Sequence, residues 1–322
     1  MSHAPEPRTR LSTAARFPRR FFLENLAVRQ DNSALVTLVH PKVLYYLPPL
    51  QPGAEVEPVP LHGFEEPAGG IVELEPDVFV VFTSNVYTTH ESYAHRFDLR
   101  GWTPGARVIP ELVFTFPAAA RGLNGACALS PGVVLVADTF AGLIWRLDLA
   151  SKDGPRAEVW LQHHSMDHIP DTLPPPPQPG VNGIRYSVRT GHVYYTTTGQ
   201  KLFMRVRVDP AALSAAGEPE LVARGGMYDD FCLDDARGVA YLTVHRENRI
   251  DRVPLEPSAG EPPLAIAGPP LDDLLYGPSS AAWSRAPGEA GRVLYVATDG
   301  GHTAPPPDGH VREAKVFRME LL

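Results

Sequence analysis

Apolar and polar residues alternate in short runs along this chain, and one stretch shows the repeating unit clearly. Residues 179–186 open with a polar turn around Asn182 and continue as a short alternating run. Residues 191–198 follow a tight turn and end in three threonines. Both runs contain β-branched and aromatic side chains, which suit a half-buried pleated surface better than a helix. The unit is therefore predicted to be two β-strands joined by a turn.

The same unit recurs from one end of the chain to the other. Six copies are separated by 44, 55, 58, 47 and 50 residues when they are aligned on Asn25, Gly69, Asn124, Asn182, Asp229 and Ser279. This period, with about four strands in each copy, is typical of a β-propeller and not of a β-sandwich. The sixth copy ends with a third strand at 314–321, and a spare strand at 12–17 would supply its fourth. The prediction is an all-β, six-bladed β-propeller over residues 11–322, closed by the N-terminal strand and preceded by a disordered tail at 1–10.

Polar residues cluster where this geometry predicts one mouth of the propeller. Residues just before each first strand share that mouth with residues just after each second strand. The first set is Glu24, Asn25, Asn124, Asn182, Asp229 and Ser279. The second set is His40, Thr83, Ser84, Asn85, Asp138, Thr139, Thr197, Thr198, His245, Asp299 and His302. Each residue alone is an ordinary turn residue. A ring of their oxygen atoms could hold a hard cation, Ca²⁺ before Mg²⁺ or Mn²⁺, or form a network of hydrogen-bonded turns.

Two segments are longer than a propeller blade requires. One spans residues 85–93, and the other spans residues 162–178 and contains four consecutive prolines. Connections of this length in a compact fold are usually lids or binding loops, or are disordered. Both are predicted to border the mouth.

Four short motifs resemble the metal-site turns of the regucalcin/gluconolactonase (senescence-marker-protein) propellers. They are Phe22-Leu23-Glu24-Asn25, Leu123-Asn124-Gly125, Val181-Asn182-Gly183-Ile184 and Asp229-Asp230-Phe231-Cys232-Leu233-Asp234. The resemblance implies that Glu24, Asn182 and Asp229 bind a divalent cation and that Asn124 contacts the metal or the substrate. Asn25 competes with Glu24 for the first position, and Arg121 is not spaced like the substrate-binding arginine of that family.

Other motifs are similar to a fungal branch of these propellers. They are Glu24-Asn25-Leu26-Ala27-Val28-Arg29, His90-Glu91-Ser92-Tyr93, Phe140-Ala141-Gly142-Leu143-Ile144-Trp145-Arg146 and Leu202-Phe203-Met204-Arg205. That branch includes cyclases of fungal secondary metabolism. The resemblance implies a hetero-Diels–Alder or oxa-cyclisation reaction of a reactive polyketide or quinone-methide intermediate.

Two enzymatic reactions and one non-catalytic role therefore have to be compared. A Ca²⁺-dependent lactonase needs a carboxylate base, for which Asp229 and Asp138 are candidates. A cyclase needs shape, exclusion of water and hydrogen-bond donors, for which Thr139 and His245 are candidates. The predicted substrate-binding residues are Asn124, Asn85, Tyr87, Phe140, Tyr228 and His302. Aromatic residues at the mouth favour a flat apolar ligand and hence the cyclase, with the lactonase as the alternative and a binding scaffold as the third possibility.

Composition and charge limit the kinds of binding partner that this protein is expected to have. The formal net charge of −8 argues against nucleic acid or an anionic membrane surface, so the expected partner is an apolar or aromatic small molecule. The two cysteines, Cys127 and Cys232, lie in apolar strand patterns, which argues against a disulfide framework. The sequence shows no signal peptide, membrane span, nucleophile elbow, phosphate loop or dinucleotide motif. A cytoplasmic protein without a nucleotide or redox cofactor is expected, and its oligomeric state stays open.

Overall fold

The computed structural model describes residues 9–86, 88–170, 178–257, 262–306 and 308–322, and nearly all of its regular structure is β-strand. The strands, in chain order, are β1 (Thr9–Arg19), β2 (Phe22–Val28), β3 (Ala34–His40), β4 (Val43–Leu47), β5 (Val59–Gly63), β6 (Ala68–Glu75), β7 (Val78–Ser84), β8 (Ser92–Asp98), β9 (Glu111–Thr115), β10 (Leu123–Ser130), β11 (Val133–Asp138), β12 (Leu143–Asp148), β13 (Arg156–Gln162), β14 (Val181–Ser187), β15 (His192–Thr197), β16 (Leu202–Asp209), β17 (Ser214–Arg224), β18 (Tyr228–Asp234), β19 (Val239–Val244), β20 (Arg249–Pro254), β21 (Leu264–Ala267), β22 (Pro278–Trp283), β23 (Val293–Thr298) and β24 (Glu313–Leu321). Two single 3₁₀ turns lie at His164–Met166 and His245–Glu247. Within the described ranges no helix is long and apolar enough to cross a membrane.

The strands form six antiparallel sheets of four strands each, which are the six blades of the predicted propeller. Blades 1 to 5 are β2–β5, β6–β9, β10–β13, β14–β17 and β18–β21, each in sequential order. Blade 6 has the order β22-β23-β24-β1, so the N-terminal strand is its outermost strand. The predicted fold is therefore confirmed.

The closure of the ring is also confirmed. Strand β1 pairs antiparallel with β24, with Ser12 opposite Arg318 and Phe17 opposite Ala314. Because β1 covers the edge of β24, the last blade does not end on an open edge at that strand. Strand β1 begins at Thr9, ahead of the predicted domain boundary at residue 11.

The hydrophobic core is divided among the contacts between blades. Six clusters of buried residues can be distinguished, and each lies between two neighbouring blades. The cluster between blades 6 and 1, for example, contains Phe17, Leu23 and Tyr295. The alternation seen in the sequence thus buries one face of each sheet against the next blade, which holds the inner strands in place around the propeller axis.

Candidate functional site

Every blade has a β-bulge at the same place on its innermost strand. In blade 4, Val181 pairs with Thr197 and Ile184 with Tyr195, so Asn182 and Gly183 together oppose a single residue of β15. The same irregularity interrupts the pairing of β2, β6, β10, β18 and β22 with their neighbours. A bulge places two side chains where a regular strand has one, and bulges are frequent beside active sites.

The six bulges define two rings of residues. The first bulge residues, which we call the cavity ring, are Glu24, Gly69, Asn124, Asn182, Asp229 and Ser279. The second bulge residues, which we call the closing ring, are Asn25, Gly70, Gly125, Gly183, Asp230 and Ser280. This answers the question left open by the sequence: Glu24 lines the cavity, whereas Asn25 accepts a hydrogen bond from Ser280 (3.1 Å) in the closing ring.

Five of the six cavity-ring residues line a cavity of about 170 Å³ at one mouth of the propeller. The sixth, Ser279, does not line it and donates its hydroxyl to the backbone oxygen of Leu23 (2.6 Å). Its apolar wall comes mainly from blades 1 to 3 and includes Phe22, Leu123 and Phe140. Its ionisable groups are Glu24 together with residues of blade 5. The complete lining is Phe22, Glu24, Val39, Pro67, Gly69, Ser84, Val86, Gly122, Leu123, Asn124, Thr139, Phe140, Pro179, Asn182, Thr198, Asp229, His245, Arg246 and Thr303.

Two buried carboxyl groups of the cavity ring are each paired with an amide. The Nδ2 of Asn124 donates to Oε1 of Glu24 (2.9 Å), and the Nδ2 of Asn182 donates to Oδ1 of Asp229 (2.6 Å). Asn182 also donates to the hydroxyl of Thr198 (3.0 Å). Neither amide Oδ1 accepts a hydrogen bond from another described residue. The four predicted metal ligands therefore line the same cavity as two hydrogen-bonded pairs, Asn124 with Glu24 and Asn182 with Asp229.

His245 lies between two acids at the edge of this group. Its Nε2 is 3.2 Å from Oδ2 of Asp299, and its Nδ1 is 3.7 Å from Oδ2 of Asp229. The backbone N–H and the hydroxyl of Thr303 also donate to Oδ2 of Asp299 (3.0 and 2.8 Å), and the ring of Phe22 stacks on the imidazole at 5.8 Å. The imidazole is thus fixed in position and buried at the cavity wall.

These surroundings shift the pKa of each group in a definite direction. Burial raises the pKa of Glu24 to about 7, although the hydrogen bond from Asn124 opposes the shift. Burial and the nearby Glu24 carboxyl raise the pKa of Asp229 well above its usual range. Burial by itself lowers the pKa of His245, but Asp299, Asp229 and Glu24 outweigh it and raise this pKa to about 9. Near pH 7 the site therefore contains a His245 imidazolium that can donate a proton.

The donor set fits a hard divalent cation. Glu24 and Asp229 supply two carboxylates, and Asn124 and Asn182 supply two amide oxygens that have no donor among the described residues. Oxygen donors of this kind suit Ca²⁺. No group of three or more His, Cys, Asp or Glu side chains in the described part of the chain is arranged to hold a metal.

The closing-ring residues are held by hydrogen bonds and by close packing of the inner strands. Oδ2 of Asp230 accepts hydrogen bonds from Arg185 and from Ser280, both at 2.6 Å. At Gly125 a Cβ atom would lie 2.5 Å from the backbone oxygen of Asn182, so only glycine lets the inner strands of blades 3 and 4 approach this closely. These closing-ring contacts are structural, whereas five of the six cavity-ring residues line the cavity.

Three threonines join the bulges of neighbouring blades. Thr243, for example, accepts from the backbone N–H of Asp230 (2.9 Å) and lies within hydrogen-bonding distance of the backbone oxygens of Asp230 (2.9 Å) and Ser279 (3.1 Å). Thr37 and Thr196 make equivalent contacts from blades 1 and 4. These hydroxyls hold the rings in register from one blade to the next.

Most of the predicted catalytic residues line the cavity. Asp229, His245 and Thr139 are among the lining residues, as is Phe140 from the predicted substrate-binding set. The hydroxyl of Thr139 is buried and has no hydrogen-bond partner in the described structure. A buried hydroxyl without a partner is uncommon in folded proteins, and this oxygen atom is not itself exposed to the cavity.

Asp138, the other predicted base, lies outside the cavity lining. Its carboxylate accepts hydrogen bonds from the indole N–H of Trp145 (2.9 Å) and from the backbone N–H groups of Arg121 (2.9 Å) and Ala141 (3.1 Å). Burial raises its pKa, against these hydrogen bonds. These contacts are those of a carboxylate that stabilises a turn, and its catalytic role stays a prediction.

Three of the described residues predicted to bind substrate, Asn85, Tyr228 and His302, are not among the residues that line the cavity. Asn85 accepts from the backbone N–H and the hydroxyl of Thr88, Tyr228 is buried in the core between blades 4 and 5, and His302 lies in the turn after Asp299. Tyr87 lies outside the described residues.

The two long segments border the mouth where they are described. Val86 lines the cavity, and the ring of His168 contacts Phe140 at 5.7 Å. Residues 171–177, which include the four prolines, lie outside the described ranges.

Sequence reasoning gave no role to four residues of the observed site: Phe22, Arg246, Asp299 and Thr303. Asp299 was predicted to lie at the mouth. Its contact with His245 joins blades 5 and 6, and no local sequence pattern predicts a contact between residues so far apart in the chain. The turn Asp299-Gly300-Gly301-His302-Thr303 after an apolar strand was the available signal for Thr303, because such turns bring a hydroxyl back onto the Asp side chain.

The fold is shared with solved structures of low sequence identity. A luciferin-regenerating enzyme matches with a TM-score of 0.64 and 14% identity over 97% of this chain and 95% of its own. The PQQ-bound aldose sugar dehydrogenase of Streptomyces coelicolor matches with a TM-score of 0.64 and 12% identity, over 98% of this chain and 99% of its own. Regucalcin of Agrobacterium tumefaciens, a calcium-binding protein, matches with a TM-score of 0.63 and 15% identity, over 96% of this chain and 94% of its own.

These matches confirm the resemblance to the regucalcin propellers at the level of the fold. No protein-family model matches the sequence, and a search of curated proteins gives no match. The resemblance to the fungal cyclases stays a prediction.

Proposed function

We propose that this protein is an enzyme that cyclises a largely apolar small molecule at the mouth of the propeller, without redox chemistry. The observation that supports this most is the His245 imidazole, which is buried between Asp229 and Asp299 and faces a cavity with Phe22, Leu123 and Phe140 in its wall. A proton donor beside an apolar wall suits a substrate that must be folded and then activated at one oxygen.

The proposed reaction is an isomerisation and needs no co-reactant. The His245 imidazolium donates a proton to a carbonyl or quinone-methide oxygen of the substrate, which makes the conjugated carbon electrophilic. A hydroxyl oxygen of the same molecule forms the new C–O bond to that carbon, and its proton returns to the imidazole. In this proposal the Thr139 side chain rotates so that its hydroxyl, which is buried and unpartnered in the described structure, donates a hydrogen bond to the substrate. The apolar wall excludes water that would trap the electrophile. A hetero-Diels–Alder reaction of a quinone methide, as in fungal secondary metabolism, would use the same wall and the same donors.

A Ca²⁺-dependent lactone hydrolase is the second candidate. It is favoured by the four oxygen donors of Glu24, Asn124, Asn182 and Asp229 in one cavity. A divalent cation held by these residues would polarise the carbonyl of a lactone or ester. The surrounding residues would orient the ester and, through His245, donate a proton to the leaving oxygen.

One experiment separates the two candidates. Metal-stripped protein, with and without Ca²⁺, is offered an ortho-quinone methide with a tethered hydroxyl group and, separately, γ-lactones and aryl esters. The cyclase predicts a stereochemically enriched ring product that is lost in His245→Gln and retained in His302→Gln, a matched histidine outside the cavity lining. A racemic product unchanged by the protein would contradict the cyclase.

The same assay has two further outcomes. Calcium-dependent lactone turnover would establish the hydrolase instead. No turnover of either substrate class would leave the propeller as a binding scaffold and would contradict both enzymatic proposals.

A further inference from the structure

The guanidinium of Arg246, at the edge of the cavity, has no bonding partner among the described residues. Arg246 follows His245 in the 3₁₀ turn His245–Glu247, is half-buried, and is the only Lys or Arg residue of the cavity lining in the described structure. Its guanidinium makes no hydrogen bond, ion pair or ring contact with a described residue. The neighbouring acid, Glu247, is occupied by Lys201 (3.6 Å), by the Arg249 guanidinium and by the backbone N–H of Met227 (3.2 Å).

Nearby arginines have partners of their own. Arg249 pairs with Asp251 (2.9 Å), and Arg185 pairs with Asp230 (2.6 Å). The two carboxyl groups that line the cavity form no ion pair with Arg246. Glu24 accepts a hydrogen bond from Asn124, and Asp229 accepts one from Asn182. A half-buried guanidinium loses part of its hydration, and the loss is recovered when an anion binds to it.

We propose that Arg246 binds a carboxylate of the substrate and that the substrate class is an amphipathic carboxylic acid. Its apolar body lies on the wall formed by Phe22, Leu123 and Phe140, and its carboxylate lies at the Arg246 edge of the cavity. The planar guanidinium suits a carboxylate because two parallel N–H groups can donate to its two oxygens. This inference rests on the proposed function only for the identity of the site, and it makes Arg246 a determinant of specificity.

Binding of a matched pair of probes tests this inference without any turnover. The probes are 2-naphthoate and the neutral 2-naphthalenemethanol, titrated calorimetrically into the full-length protein at pH 7 and low salt. Wild type is expected to bind the carboxylate about tenfold more tightly than the alcohol, as for a partly desolvated charge pair. Arg246→Gln should remove this preference and leave binding of the alcohol unchanged.

Two further variants serve as controls. Arg121→Gln removes an exposed arginine of the same mouth that does not line the cavity, and it should keep the tenfold preference. Phe140→Ala should weaken the binding of both probes equally, because it removes part of the apolar wall. Thermal unfolding of each variant checks that it is folded.

The inference is overturned if wild type binds both probes equally, if neither probe binds, or if the preference survives in Arg246→Gln. Its failure is distinct from failure of the cyclase. Stereoselective ring formation without a carboxylate preference would contradict only the role of Arg246. A carboxylate preference without ring formation would contradict only the cyclase.

Discussion

Asp229 and Asp230 are adjacent on one bulge of blade 5 and have opposite surroundings. Asp230 belongs to the closing ring, where Arg185 and Ser280 both donate to its Oδ2. Asp229 belongs to the cavity ring, where its hydrogen-bond donor is the neutral amide of Asn182 and where His245 lies 3.7 Å away. The bulge thus turns one carboxylate toward a permanent cation and the other toward free space.

This difference separates structural from functional polar groups in the propeller. A buried carboxylate that is paired with an arginine stabilises the chain only as part of the pair, and removing the partner is costly. A buried carboxyl with a raised pKa favours its neutral form and needs no permanent cation, and it can bind a cation when it loses its proton. The cavity ring and the closing ring lie next to each other along every inner strand, so the comparison can be tested by single substitutions.

The largest effect is expected at Arg185. Arg185→Met leaves the Asp230 carboxylate buried without its cation, so the free energy of unfolding should fall by about 3 kcal/mol. Equilibrium urea unfolding measures this loss. The double variant Arg185→Met/Asp230→Leu should recover most of it, because the buried charge is gone as well. A loss below about 1 kcal/mol in the single variant would mean that the closing ring does not depend on this pair.

Asp229→Asn should have the opposite effect, with stability retained and turnover lost. Because burial and Glu24 raise the pKa of Asp229 well above its usual range and so favour its neutral form, the neutral amide is expected to leave the free energy of unfolding unchanged or higher. Turnover, in whichever assay succeeds, should fall about a hundredfold, since both a proposed metal ligand and the partner of His245 change. Asp230→Asn is the matched control and should lose stability. A comparable loss in Asp229→Asn would show that the two carboxylates are equivalent and would refute the comparison.

The pH dependence of stability sharpens the same contrast. The pKa of Glu24 is raised to about 7 in the folded protein from an ordinary value of 4.5, and the pKa of Asp229 is raised as well. The folded state therefore holds more protons than the unfolded state in this window, so metal-free stability should fall as the pH rises from about 4.5 to 7. The pKa of His245 is raised from 6.5 to about 9, so its contribution to stability is complete below 6.5 and is lost progressively as the pH rises from there through 9.

Calcium should reverse this slope. Ca²⁺ binds the deprotonated carboxylates, so millimolar Ca²⁺ should raise the melting temperature more at pH 7 than at pH 5. The double variant Glu24→Gln/Asp229→Asn should flatten the metal-free slope and remove the response to Ca²⁺. A melting temperature that Ca²⁺ leaves unchanged at pH 7 would make the cavity ring a hydrogen-bonded turn network without a metal.

Much of the fold could be predicted because its signals are local. The alternation within strands and the Asn-Gly turns at 124 and 182 recur at a readable period, and each marks the bulge that it actually forms. Strand β5 was missed, since Val59–Gly63 is short, contains Pro60 and stays mostly outside the core. Nothing local fixes whether Glu24 or Asn25 faces the cavity, because this depends on the pairing of Leu23 with Leu38.

The site was predictable only in part, because contacts between residues far apart in the sequence decide which polar groups it contains. Asp138 and Asp299 both lie at the end of a second strand, and they look alike in the sequence. The structure separates them, since Asp138 accepts from backbone and indole N–H groups of its own blade and Asp299 contacts His245 from the next blade. Arg246 was not singled out because the absence of a partner can be recognised only when every neighbour is placed.

The smallest effect is expected at two buried threonines, Thr139 beside the cavity and Thr243 beside the closing ring. The Thr139 hydroxyl is buried at the cavity without a partner, whereas the Thr243 hydroxyl is hydrogen-bonded to the backbones of Asp230 and Ser279. Valine has nearly the same shape as threonine, so each Thr→Val change removes the hydroxyl and creates no cavity. Thr243→Val should lower the free energy of unfolding by about 1–2 kcal/mol, because it leaves buried backbone groups unsatisfied.

Thr139→Val should leave stability unchanged or slightly higher, because no hydrogen bond within the protein is lost. It should nevertheless slow the cyclisation about tenfold and lower its stereoselectivity, since the substrate loses a hydrogen-bond donor. Urea unfolding and the product assay on the same two preparations give both readouts. If Thr139→Val destabilises the protein as much as Thr243→Val and leaves turnover untouched, then Thr139 is part of the scaffold, and the free hydroxyl at the cavity has no role in binding the substrate.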